Sequence, residues 1–157
     1  MPRPTVDRVT VNPSDEMIRV GYLSIRFLLT GEDSGGSIAA FELTVPGAQR
    51  LQAPAHSHDA YEETIYGLEG KLTWTVEGQP TEVGPGQMLC IRRGGVHRFD
   101  NQEEQDAKAL CVITPGVLTP AYFREVGAAF AAGGPPDPAK IAGIMLRHGL
   151  TPVATPA

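Results

Sequence analysis

From Ile18 to about Ile113, hydrophobic residues recur in short runs separated by glycine, proline and polar residues, and no ten-residue helical stripe interrupts them. Short strands bounded by turn residues are typical of an all-β sandwich or barrel. The runs GYLSIRFLLT and SIAAFELTV flank the polar, glycine-rich GEDSGG, which predicts a hairpin with a long loop. A tight turn is predicted at the Gly-Gln-Pro stretch, residues 78–80. We therefore expect an all-β barrel over residues 18–114, preceded by an extended N-terminal arm at 1–17.

After Pro115 the spacing of hydrophobic residues becomes helical. One helix is predicted to start at Thr119 and a second at Asp137, because a proline follows each of these cap residues. Together they form a helical tail over residues 115–150, whose apolar faces pack on the barrel or on a partner subunit. The last residues, 151–157, are expected to be frayed.

Length and composition narrow the class of protein. A chain of 157 residues fits a single domain, and a net charge of -5 argues against a nucleic-acid or anionic-membrane partner. The N-terminus lacks a secretory signal and no apolar run is long enough to span a membrane, so we expect a cytoplasmic protein with a small-molecule partner. Cys90 and Cys111 have no CxxC spacing and are expected to be two buried small hydrophobic residues.

Three of the four histidines fall in segments that favour a metal site. His56 and His58 are two residues apart, so on a strand both imidazoles point to the same side. A carboxylate follows at Glu62 or Glu63, and His97 begins a later strand. The fourth, His148, is expected to be a cation at a helix C-terminus.

Two motifs indicate a family. The patterns H-x-H-x(3 or 4)-E-x(6)-G and G-x(5)-P-x-G-x(2)-H-x(3)-N are characteristic of cupins. The chain matches the first at His56, His58, Glu63 and Gly70, and the second at Gly86, Gly94, His97 and Asn101. Arg92 stands at the proline position of the second pattern, which changes the loop and no ligand. The chain therefore resembles the cupin superfamily, and the motif spacing makes Glu63, not Glu62, the acidic ligand.

The resemblance extends beyond the motifs. FLLTGEDSGGSIAAFELTVPG and YGLEGKLTWTVEGQPTEVGPGQ are similar to single-domain quercetinase-like cupins. This implies a jelly-roll barrel, also called a double-stranded β-helix, with two short C-terminal helices, and a homodimer. It also implies a divalent transition metal, either Fe, Mn, Ni, Co, Cu or Zn, bound by His56, His58, Glu63 and His97.

The implied function is oxygen-dependent oxidation of an aromatic or enolisable small molecule, with dioxygen as a second partner. Glu63 would alternate between metal ligand and general base for the substrate hydroxyl. Two alternatives remain open on the sequence. One is a non-oxidative isomerase or lyase that uses the metal as a Lewis acid, and the other is a cupin that binds a small molecule or metal without turnover.

The walls of the substrate pocket follow from strand alternation. Phe99 shares a face with His97, and Ile65 and Gly67 share a face with Glu63, so these three residues are predicted to line the pocket. Gly67 has two interpretations at this stage. It either leaves extra room beside the metal or permits a β-bulge or close backbone approach.

Overall fold

The computed structural model describes Val11 and residues 14–48 and 54–154, so most of the predicted N-terminal arm at 1–17 lies outside the described residues. Within them the chain forms eleven strands and two helices. These are β1 (Ile18–Val20), β2 (Leu23–Leu29), β3 (Ala39–Val45), β4 (His56–His58), β5 (Glu62–Glu69), β6 (Leu72–Val76), β7 (Gln79–Val83), β8 (Met88–Ile91), β9 (His97–Asp100), β10 (Ala107–Thr114), α1 (Pro120–Ala131), α2 (Pro138–Arg147) and β11 (Leu150–Pro152). No helix among the described residues is both long and apolar enough to cross a membrane.

The strands form two antiparallel sheets, with strand orders β1-β2-β3-β10-β5-β8 and β11-β4-β9-β6-β7. Side chains alternate between core and surface most clearly along β5 and β10, where every second residue is buried over most of the strand. The inward faces meet in one hydrophobic core, to which Ile65 and Ile113 contribute from the first sheet and Trp74 and Phe99 from the second. This arrangement confirms the predicted all-β barrel of jelly-roll type.

Both predicted hairpins form, and one turn is displaced. β2 pairs with β3 as predicted, and the intervening loop is fastened by the Asp33 carboxylate, which accepts a hydrogen bond of 2.9 Å from the Thr30 backbone N–H. The second turn lies at Glu77 and Gly78, which both have positive φ, and not at Gly-Gln-Pro. Pro80 is instead part of β7, where it is tolerated because β7 is the edge strand of its sheet.

The two helices begin where the sequence predicts. Pro120 and Pro138 open α1 and α2, and the Asp137 carboxylate accepts a hydrogen bond of 3.0 Å from Ala139 N. α1 packs on β1. His148 forms the C-cap of α2 as predicted, and its Nε2 lies 3.1 Å from Glu125 Oε1.

The chain does not fray immediately after α2. Thr151 and Pro152 belong to β11, which pairs with β4, so the predicted frayed terminus at 151–157 is wrong in its first residues. Val153 N then donates a 2.7 Å hydrogen bond to Ala55 O. The C-terminal strand therefore supports β4, the strand that carries two of the candidate ligands.

Of the two cysteines, only one has the predicted environment. Cys111 is fully buried on β10, whereas Cys90 is exposed. Cys90 lies on β8, an edge strand whose outward face also carries Met88, and no element covers that face among the described residues. The prediction for Cys90 is therefore wrong because alternation places it outward in a strand with only one neighbour.

Gly67 is required by the backbone and not by a pocket. A Cβ built at Gly67 would lie 2.0 Å from Gly84 O, far inside van der Waals contact. Two hydrogen bonds close this approach, from Gly67 N to Gln87 O and from Gly86 N to Gly67 O. The pairing of β10 with β5 is also irregular at this level. The second interpretation of Gly67, a close backbone approach at a bulge, is the one that the structure supports.

We expect Gly67→Ala to destabilise the protein by about 1–3 kcal/mol, because the new methyl group forces β5 away from the Gly84 backbone. Gly84→Ala is the matched control, since a Cβ there meets only the Gln87 side chain at 3.5 Å. Urea unfolding of both variants measures the difference. Equal stability of the two variants would contradict the close approach.

Candidate metal centre

Strand pairing brings the three predicted histidines together. β4 lies between β11 and β9, and His56 is directly opposite His97 in the β4–β9 pair. His58 points to the same side as His56 because it is two residues further along the strand. One ligand nitrogen from each of these histidines, here called the histidine cluster, lies within 4.8 Å of the other two.

Backbone carbonyls face the Nδ1 atom of every ring in the histidine cluster. The separations are 3.4 Å from His56 to Pro54 O, 3.0 Å from His58 to Tyr61 O and 2.9 Å from His97 to Gly95 O. A carbonyl oxygen only accepts hydrogen bonds, so each Nδ1 must carry the proton. When such a ring is neutral its lone pair is on Nε2, which is the arrangement found in metal-binding histidines.

Glu63 completes the group from the opposite sheet. Its Oε2 lies 3.3 Å from the Nε2 atoms of both His58 and His97, and the residue is only 9% exposed. Glu62 faces the other way on β5 and accepts a hydrogen bond of 2.9 Å from Arg93 Nε. The structure therefore brings Glu63 to the histidine cluster and leaves Glu62 at the surface.

The electrostatic environment differs among these residues. Burial opposes protonation of His97, but the Glu63 carboxylate outweighs burial and raises the pKa of His97. Burial lowers the pKa of His56 to about 3, with the charge of His97 acting in the same direction, so His56 is neutral at physiological pH. Burial alone would raise the pKa of Glu63, but contacts with His58 and His97 hold it well below its usual range. The adjacent Tyr61 hydroxyl has its pKa raised by burial and by the charge of Glu63, so it keeps its proton.

These residues fit a divalent transition metal. Ligands about 2.1 Å from an ion, at angles of about 90 to 110°, lie about 3.0 to 3.4 Å apart, and the two 3.3 Å separations at Glu63 fall in this range. His97 Nε2 is buried without a hydrogen-bond partner in the described residues, as expected for an atom reserved for an ion. Three imidazoles and one carboxylate suit Fe, Mn, Ni, Co, Cu or Zn.

A small cavity of about 70 Å³, here called the central cavity, opens beside the histidine cluster. Its wall includes His56, Tyr61, Glu63 and Phe99 from the barrel, with Tyr122 and Val126 from α1. Most of the lining is apolar, and α1 covers the side away from the metal ligands. A larger open groove of about 970 Å³ lies near the start of α1, but none of the predicted site residues lines it.

Only one of the three residues predicted to line the pocket does line the central cavity. Phe99 lines the central cavity, whereas Ile65 and Gly67 do not. Ile65 is fully enclosed in the core, and Gly67 packs directly against the Gly84 backbone. Both residues do share the inward face of Glu63, but that face continues past the cavity into packed core.

Sequence patterns missed two tyrosines in the wall of the central cavity. Tyr61 lies inside the first motif, between His58 and Glu63, and a search restricted to metal-ligating residue types passes over it. Tyr122 lies on α1, and the signal that could have found it is the apolar face of this helix. Only the packing of α1 on the barrel shows that the two tyrosines meet at one cavity.

Comparison with known proteins agrees with the fold and the motifs. Residues 42–113 match the family model described as "Cupin domain". This match covers less than half of the chain, and it agrees with the two-sheet barrel and with the two motifs. Quercetin 2,3-dioxygenase of Bacillus subtilis (strain 168) is 33% identical over 72 residues. Those residues make up 46% of this chain but only 21% of that relative, so the match spans about a fifth of its length.

Solved structures share the barrel at low sequence identity. A predicted oxalate decarboxylase from Thermotoga maritima has a TM-score of 0.60 at 21% identity, covering 68% of this chain and 99% of that chain. KdgF from Halomonas sp. has a TM-score of 0.56 at 14% identity, covering 64% of this chain and 86% of that chain. At these identities the likeness shows the fold alone.

We expect His97→Ala to weaken metal binding by about 100-fold or more, because it removes a buried Nε2 atom that has no hydrogen-bond partner among the described residues. His148→Ala is the matched control, since this histidine lies at the end of α2 and contacts Glu125. Competition with a chromophoric chelator measures the affinity of each variant for Co²⁺. Equal loss of affinity in both variants, or in neither, would contradict the proposed ligand set.

Proposed function

We propose that this cupin is a metal-dependent oxygenase that oxidises a small aromatic or enolisable molecule, in the manner of quercetinase-like dioxygenases. The observation that carries the proposal is the common orientation of the three imidazoles. All have Nδ1 at a backbone carbonyl, and the Nε2 atoms of His58 and His97 lie 3.3 Å from Glu63 Oε2 beside an apolar cavity. The 33% identity to a quercetin 2,3-dioxygenase over 72 residues adds support for this chemistry.

His56, His58, His97 and Glu63 would hold the metal. A bound redox-active ion would supply Lewis-acid stabilisation of a substrate oxyanion and a site for oxygen chemistry. Four protein ligands leave one or two positions open in five- or six-coordinate geometry, which is the property of a catalytic rather than a structural site.

Glu63 is the residue that we assign to proton transfer. It is the one carboxylate among the residues that line the central cavity. Its Oε2 lies 3.3 Å from the Nε2 atoms of His58 and His97, and a cation bound between these atoms would keep the carboxylate ionised and able to accept the proton of a substrate hydroxyl. The apolar wall excludes water from this step, so the charge that develops on the substrate is stabilised by the fixed groups of the centre.

The size of the central cavity limits the substrate. Ligand sites for drug-sized molecules usually enclose about 300–1,000 Å³, whereas this cavity encloses about 70 Å³. A compact enolisable molecule or a single ring fits this space better than a three-ring flavonol does. A larger substrate requires displacement of the α1 side chains Tyr122 and Phe123, which form part of the wall.

The same small cavity also favours a second candidate. A carboxylate base beside a Lewis acid is sufficient to move a proton on an enolisable substrate without oxygen, as in an isomerase or lyase. The two candidates differ only in whether dioxygen is consumed.

Oxygen uptake distinguishes them. The protein loaded with Fe, Mn, Ni, Co or Cu should consume oxygen in the presence of small hydroxyketones or enediols, with quercetin as the larger comparison substrate. Turnover per bound metal should fall by about 100-fold or more in Glu63→Gln, because the base is removed.

Glu62→Gln is the control for that variant, since Glu62 is a surface neighbour paired with Arg93, and it should retain activity. Substrate isomerisation under anaerobic conditions without oxygen uptake in air would instead establish the second candidate. No reaction with any metal, with binding retained, would indicate a cupin that binds without turnover.

A further inference from the structure

The Tyr61 hydroxyl has no evident role in the stability of the fold. The residue is 1% exposed, and its hydroxyl oxygen is buried without a hydrogen-bond partner among the described residues. Two other buried polar atoms share this property, His97 Nε2 at the metal centre and Trp74 Nε1 elsewhere in the core. A buried hydroxyl without a partner costs free energy, so its retention points to a partner outside the protein.

The position of Tyr61 is fixed by the metal centre itself. Its ring stacks on His58 with centroids 4.0 Å apart and an interplanar angle of 17°. Its carbonyl oxygen accepts the hydrogen bond from His58 Nδ1 at 3.0 Å. The ring therefore cannot turn without disturbing His58, and Tyr61 is held in the wall of the central cavity together with His56 and Glu63.

A phenol hydroxyl in an apolar cavity is a directional hydrogen-bond donor. Around it the wall is supplied mainly by side chains that do not accept hydrogen bonds, including Phe99, Leu118 and Val126. An apolar ligand with two oxygens can place one oxygen at the histidine cluster and the other at the Tyr61 hydroxyl.

We propose that Tyr61 is the ligand-positioning residue of this site, donating a hydrogen bond to an oxygen of a small carboxylate or hydroxycarbonyl ligand bound at the histidine cluster. This assignment rests on the proposed metal centre and deepens it by naming the class of ligand. Tyr61 selects for ligands that offer an acceptor oxygen beside the atom bound to the metal, and disfavours ligands of similar size that lack one.

Binding to Co²⁺-loaded protein tests the assignment without relying on turnover. Acetate, which has a second oxygen free to accept a hydrogen bond, and imidazole, which offers no acceptor oxygen, are titrated separately while the visible Co²⁺ spectrum is followed. In Tyr61→Phe the dissociation constant for acetate should rise by about tenfold. That for imidazole should stay within about twofold, because imidazole makes no bond to the hydroxyl.

Two further measurements keep the outcomes separate. Tyr66→Phe is the matched control, since Tyr66 lies on the other face of β5, and it should bind both probes as the unaltered protein does. Thermal unfolding of Tyr61→Phe should show stability equal to or above that of the unaltered protein, because the change removes an unpaired buried hydroxyl.

An unchanged acetate constant in Tyr61→Phe would overturn the assignment while leaving the metal centre intact. A loss of stability without a change in acetate binding would overturn it too, and would make Tyr61 a structural residue. Failure of the unaltered protein to bind Co²⁺ would overturn the metal centre and this assignment together.

Discussion

Three backbone carbonyl oxygens, each facing the Nδ1 atom of one histidine, determine what the interior of this barrel can bind. They place the proton on Nδ1 and leave Nε2 as the free ligand atom of each neutral ring, and the Nε2 atoms of His58 and His97 lie next to the Glu63 carboxylate. The carbonyls belong to backbone segments at the ends of β4 and β9 and at the start of β5, so the sheet positions them. The tautomer of each imidazole is thus a consequence of strand pairing.

Elements that are distant in the chain support this arrangement. β11 pairs along β4 on the side away from β9, so the C-terminal residues brace the strand that carries His56 and His58. α1 covers the central cavity and contributes Tyr122 to its wall. The result is a buried, mainly apolar environment around one carboxylate and three imidazoles. In such an environment electrostatic interactions are stronger than in water, which favours a divalent cation.

Much of this centre could be predicted from the sequence because it depends on local spacing. The alternation in His56 and His58, and the six residues between Glu63 and Gly70, identify the four candidate ligands without any knowledge of the fold. The barrel and its two helices follow from equally local signals, the short strands with turn residues and the Thr-Pro and Asp-Pro helix starts.

Other features depend on contacts between distant parts of the chain and could not be predicted in this way. β11 is a three-residue strand containing proline, and only its pairing with β4 reveals it. The environment of Gly67 depends on a close approach to the Gly84 backbone. The exposure of Cys90 depends on the position of β8 at the edge of its sheet. Tyr61 occupies an unspecified position of the first motif. Only the packing of α1 on the barrel shows that its hydroxyl is buried without a partner among the described residues.

The most direct test of the central claim is anomalous diffraction from crystals of the metal-loaded protein, recorded at the absorption edge of the metal. The account predicts one strong peak bonded to the Nε2 atoms of His56, His58 and His97 at about 2.0–2.2 Å, with Glu63 as the fourth ligand. The same map should show each Nδ1 still at its backbone carbonyl. A peak bonded through Nδ1, or no peak between these residues in fully loaded protein, would contradict it.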